Sequence, residues 1–123
     1  MFSHVMVGSN DIERSKTFYD ALFGAEAHRD DKGRLVYRRN GAVFLVTKPI
    51  DGQPATHANG GTIGFNFDTP AEVDAWHKSG FSAGGTTCED PPGYREGGFG
   101  KLYLAYLRDP DGNKLCALHR PPQ

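Results

Sequence analysis

Cysteine is scarce in this chain. The two present, Cys88 and Cys116, form no C-x-x-C pair and cannot supply a disulfide framework. Basic runs are missing as well: acidic and basic residues interleave and leave a formal net charge of −1. A nucleic-acid partner needs clustered cations to displace counterions, and an anionic lipid surface needs a polybasic segment, so neither partner is expected. No apolar stretch approaches the length of a membrane span. The opening residues, MFSHVMVGSND, carry neither the basic flank nor the apolar core of a signal peptide. The expectation is a soluble, cytoplasmic protein with free thiols. His-x-x-His and His-Glu-x-x-His groupings are also absent, which leaves His28, His57, His77 and His119 without a metal-binding pattern.

What is present is the material of one globular domain. A chain of 123 residues with eight Phe and five Tyr can bury a core without a disulfide or structural metal. Sixteen Gly and eight Pro stay below the level of low complexity and point to many turns.

Residues 3–8 alternate and are rich in Val, as a strand does. Asn10-Asp11 offers an N-cap, after which Ile12, Ser15, Phe18, Tyr19 and Leu22 recur at helical spacing until Gly24. The first helix is expected over residues 11–23. Strands are expected at 25–29, 34–39 and 42–48, the last two joined by Asn40-Gly41, the strongest short hairpin signal. Residues 49–61 lack periodicity and read as a linker. Then the order repeats. Residues 62–68 form a strand with Ile63, Phe65 and Phe67 on one face, and Thr69-Pro70-Ala71-Glu72 is a capping box. A second helix, with Val73 and Trp76 inward, ends at Gly80. A strand at 83–89, a glycine-rich loop at 90–100 and a hairpin of 102–108 with 114–119 complete the chain. Asp109-Pro110-Asp111-Gly112 is the turn of that hairpin.

The fold class is therefore α+β: two paired βαβββ modules, about 1–48 and 62–119, in a single domain spanning residues 1–123. Each half has one helix over one sheet face, so the halves must pack together, with curved sheets around a cavity.

Two segments carry a family resemblance. The opening S-H-V-M-V-G-S-N-D-I-E-R-S-K-T-F-Y-D-A-L-F-G and the closing Y-L-R-D-P-D-G-N-K-L-C-A-L resemble the module signatures of the vicinal oxygen chelate superfamily. That superfamily includes glyoxalases, bleomycin- and fosfomycin-resistance proteins and extradiol dioxygenases. The resemblance implies a homodimer, often with cavities shared between subunits. It also implies four inward ligand positions, one on the first and last strand of each module, filled in the metal enzymes by His, Gln or Glu.

Here those positions hold His4, Leu45, Thr62 and Cys116. Only His4 is an orthodox ligand, whereas a catalytic zinc usually keeps three protein ligands. Carboxylates, which hard divalent ions prefer, are missing from the set. No cofactor is expected, with zinc on His4 and Cys116 as the minor alternative.

Individual residues keep two readings each. His4 is a pocket group or a buried strand histidine bonded to a neighbour. Cys116 packs as a small hydrophobe, or serves as a thiol activated by His4. Cys88 reads as an inert thiol at a strand end. In the loop at 90–100, Tyr94 and Arg95 close over a ligand, Arg95 offering its fork to a carboxylate or phosphate, or they belong to a mobile surface turn. The loop is not a P-loop, because no Lys-Ser or Lys-Thr follows it. Phe44, out of phase with Leu45, is expected to face away from the pocket.

The pocket candidates are thus His4, Leu45, Thr62, Cys116, Tyr94 and Arg95. The leading expectation is metal-independent binding of a small-molecule ligand in the cavity between the modules. The alternative is an enzyme, a metal-assisted lyase, isomerase or thiol transferase with an atypical His4/Cys116 site. A third class is an interaction module whose cavity is filled. Catalytic residues and the ligand's identity lie beyond the sequence.

Overall fold

Asp11 opens the first helix as an N-cap, its side chain accepting from Arg14 N, and Gly24 closes it in the left-handed conformation at φ 61°. Such local signals set the elements of the computed structural model, which describes residues 1–122. In chain order these are β1 (His4–Gly8), α1 (Ile12–Phe23), β2 (His28–Arg29), β3 (Leu35–Arg39) and β4 (Ala42–Thr47). The second module has β5 (Ile63–Asn66), α2 (Pro70–Ser82), β6 (Thr86–Thr87), β7 (Gly93–Gly97), β8 (Gly100–Arg108) and β9 (Lys114–His119).

Both modules share one wiring. The first strand of each pairs in parallel with the last, β1 with β4 and β5 with β9, and the remaining pairs are antiparallel. The first sheet runs β1-β4-β3-β2, and the second runs β5-β9-β8-β6 with β7 also on β8.

Strand alternation decides which side of each sheet meets the helices. Val5, Val7, Tyr37, Phe44 and Val46 of the first sheet join Phe65, Ala105, Leu107, Leu115 and Ala117 of the second. Phe18, Tyr19 and Leu22 of α1 and Val73 and Trp76 of α2 fill the space between them. Direct ring contacts tie the modules: Phe44 and Phe65 lie 5.7 Å apart, Phe23 and Phe65 5.3 Å. His4, Met6, Val36 and Leu45 alternate onto the other side of the first sheet, and Gly64, Tyr106, Cys116 and Leu118 onto the other side of the second.

The Asp109-Pro110-Asp111-Gly112 turn does more than reverse the chain. Its carboxylates reach into module one. Asp111 accepts from Asn10 N, Arg14 Nη2 and Ser15 Oγ, while buried Asp109 accepts from the Tyr19 hydroxyl at 2.6 Å.

Two expectations need correction. Helix α2 does not stop at Gly80 but continues to Ser82. Gly80 stands at the crossing with α1, where a Cβ would lie 2.5 Å from Leu107 Cδ1 and 2.7 Å from Leu22 Cδ1. The segment 90–100 is not wholly a loop, because β7 hydrogen-bonds along β8 from Gly93↔Leu104 to Gly97↔Gly100. Among the described residues, no helix is long and apolar enough to cross a membrane.

Candidate functional site

A cavity of about 710 Å³ remains where the β3–β4 hairpin of module one faces β5 of module two. The hairpin follows from Asn40 and Gly41, whose φ values of 51° and 80° suit the tight turn that the Asn-Gly pair favours. Phe23, Tyr37, Phe44, Phe65 and Phe67 supply aromatic walls. Arg38, Arg39, Asn40, Glu26, His28 and Asn66 supply the polar groups of the lining. The Arg39 guanidinium carbon lies 5.3 Å from the Phe67 ring centroid, within reach of a cation–π contact. Glu26 is engaged by Lys16 at 3.6 Å.

None of the six residues singled out from sequence lines this cavity. The four family positions divide between the two sheets. His4 is exposed on β1 and its Nδ1 lies 2.8 Å from Ser3 Oγ. Leu45 is buried on β4 between its cross-strand neighbours Met6 and Val36. Thr62 is exposed, one residue before β5. Cys116 is buried on β9 between Gly64 and Tyr106, and its thiol reaches Ala117 O at 3.6 Å.

Cys116 and its neighbours have a definite charge state. Burial pushes the Cys116 thiol above its ordinary value and Glu89 adds to that, against the opposing effects of Tyr106, Lys114 and Arg95. Burial, followed by the charge of Cys116, raises the Tyr106 phenol to about 12. Both groups are therefore protonated at neutral pH. No hydrogen bond or charge interaction joins Cys116 to His4 among the described residues.

The family's divalent metal can be tested against these donors. Leu45 has none and Thr62 offers only a neutral hydroxyl, which leaves His4 and Cys116 where a catalytic zinc usually keeps three protein ligands. No group of three or more His, Cys, Asp or Glu residues converges among the described residues. The donor set of one chain does not fit the ion.

Tyr94 and Arg95 lie on β7. Arg95 turns its fork back on its own segment, donating to Gly93 O at 2.9 Å and to Asp90 O and Pro91 O at 3.0 Å. Tyr94 is 52% exposed, with its ring edge-on to Tyr103 at 4.9 Å and Lys101 Nζ 4.4 Å from its centroid.

Sequence reasoning missed Phe23, Arg38 and Arg39 as lining residues. The signal for the arginines was their position directly before Asn40-Gly41, at the tip of a hairpin. Phe44 and Leu45 do alternate, but it is the Phe44 side that borders the cavity.

Paired βαβββ modules, each closing a parallel first–last strand pair, define one class of α+β protein. The chain belongs to the Glyoxalase/Bleomycin resistance protein/Dioxygenase superfamily, whose family model matches residues 1–117. It is similar to the solved glyoxalase/bleomycin resistance protein from Albidiferax ferrireducens T118, with 59% identity and a TM-score of 0.94 over 98% of this chain and 99% of that one. Similarity in fold alone extends to a glyoxalase-related enzyme from Fulvimarina pelagi, at 22% identity and TM-score 0.77 over 98% of this chain and 89% of that one. The same holds for a lactoylglutathione lyase from Agrobacterium tumefaciens, at 23% identity and TM-score 0.69 over 97% and 92%. No curated protein matches the chain.

Proposed function

We propose that this chain is a metal-independent small-molecule-binding member of the superfamily, taking its ligand in the cavity between its modules. One observation carries the reading: the aromatic-walled cavity of about 710 Å³ at the meeting of the two sheets. Its size and its mix of apolar wall with few polar groups are those of ligand sites in general. The substitution of Leu45, Thr62 and Cys116 at family ligand positions supports a mode of binding that uses no ion.

Ligand binding to the native state raises the melting temperature by mass action. A screen of small aromatic and polar metabolites is therefore expected to yield a concentration-dependent rise. A broad screen with no rise contradicts the reading. Elemental analysis of purified protein is expected to find less than about a tenth of an equivalent of zinc, nickel, manganese or iron, since Leu45 and Thr62 stand at two of the four family ligand positions and too few donors remain. Stoichiometric metal would instead support the His4/Cys116 enzyme. Family resemblance also supports a homodimer, which light scattering checks as a mass twice that of the chain.

A further inference from the structure

We infer that the ligand taken by this cavity is a flat aromatic carboxylate, an inference that rests on the binding reading above. The chain has eight arginines, and six are committed to protein oxygens. Arg14, Arg29 and Arg34 pair with Asp111, Glu13 and Asp30. Arg95, Arg108 and Arg120 donate to backbone carbonyls. Arg38 and Arg39 alone have no oxygen acceptor among the described residues, and both line the cavity. Six of the eight arginines have protein acceptors; the two without one are consecutive, exposed and in the lining of this aromatic-walled cavity.

Sequence position explains how they get there. The Asn40-Gly41 turn ends β3 at Arg39, and strand alternation sends Arg38 and Arg39 to opposite sides of the hairpin tip. Arg39 shares the Phe44 side of the sheet and Arg38 the Val36 side, and both exposed residues line the cavity at the hairpin end. Arg39 is braced against Phe67, which limits the side-chain freedom a bound anion would otherwise have to remove. Among the described residues Glu26, the one carboxylate of the lining, contacts Lys16 at 3.6 Å and forms no ion pair with Arg38 or Arg39.

The walls specify the rest of the molecule. Phe44 and Phe65 meet edge to face at 71°, and Phe23 and Phe65 at 75°. Ring faces and edges are thereby presented together, which suits a planar ring that can add one more offset or T-shaped contact. A planar guanidinium fork matches a carboxylate in two parallel hydrogen bonds. An aromatic body with one carboxylate satisfies walls and arginines together.

The test uses a matched pair of probes, anthracene carboxylate and the neutral anthracene carboxamide. Trp76 is the sole tryptophan, and its ring lies 6.4 Å from Phe65 of the cavity wall. Its emission can pass energy to a bound anthracene and so reports binding, and a paired arginine variant assigns that binding to this cavity. Saturable quenching is expected with both probes, and with a Kd about tenfold lower for the carboxylate, as one charge-assisted contact supplies. The doubly substituted variant Arg38→Gln, Arg39→Gln is expected to abolish that preference while keeping a cooperative melt, lowered by no more than the few degrees that the Arg39–Phe67 contact supplies. Equal affinity for the two probes, or a preference that survives in the variant, overturns the carboxylate assignment and leaves small-molecule binding standing. Failure of both probes to quench overturns the two readings together.

Discussion

The Tyr19 hydroxyl, on the helix of module one, donates to Asp109 Oδ2, in the last turn of module two, at 2.6 Å. The two residues are 90 positions apart and both are buried. Asp109 also accepts from Asp111 N, Asn113 N and Asn113 Nδ2, so its carboxylate leaves no lone pair idle in the interior. This pair holds the two modules in register. Tyr19→Phe removes one bond to a charged acceptor and is expected to cost about 1.5–3 kcal/mol. Asp109→Ala strands several donors at once and is expected to cost more. Urea denaturation of both variants checks the order; equal stabilities of wild type and Tyr19→Phe would remove the pair from the account.

The same phenol sets an alkaline limit. Burial first, and the charge of Asp109 second, raise the Tyr19 hydroxyl well above its ordinary value of 10.0. Above pH 10 the unfolded chain sheds this proton while the folded chain keeps it. The folded state then holds more protons, and stability falls as pH rises. Unfolding free energies measured from pH 8 to about 11 are expected to decline, with a shallower decline in Tyr19→Phe.

Gly80 is the next point of close fit. A methyl there would collide with Leu107 and Leu22, both buried side chains from other elements. Although alanine favours helices, Gly80→Ala is expected to destabilise by about 1–3 kcal/mol through overpacking. Thermal melting distinguishes the cases, since a rise in melting temperature would show that the crossing has slack.

The two thiols should differ in reactivity. Cys88 is partly exposed, whereas Cys116 is buried with its thiol held protonated. A thiol-specific disulfide reagent at neutral pH is expected to modify one cysteine quickly and the other only on unfolding or at higher pH. The fast phase should vanish in Cys88→Ser and persist in Cys116→Ser. The reverse pattern would mean that Cys116 is an activated group.

Much of the scaffold was legible because its signals are local. Asp11 and Gly24 bound α1, Thr69 and Glu72 start α2, and the last strand runs over Lys114–His119 as the alternation indicates. Gly80 misled because its reason is tertiary: it admits two neighbouring side chains instead of ending a helix. Strand β7 was hidden because Gly93 and Gly97 have low strand propensity, and pairing with β8 overrides it. The Asp109 turn was recognisable as a turn, but its role between modules depends on Tyr19, far away in sequence. The cavity was the least legible part. Alternation separates Phe44 from Leu45 correctly, yet which of the two sides meets a cavity depends on how the sheets pack.

The central claim is a ligand cavity that works without a metal. Its most direct measurement is the binding of anthracene carboxylate, followed through Trp76 emission, to protein dialysed against a strong chelator. The account predicts saturable binding with the same Kd before and after metal removal, and unchanged by added zinc. Binding that disappears on chelation and returns with zinc would contradict it.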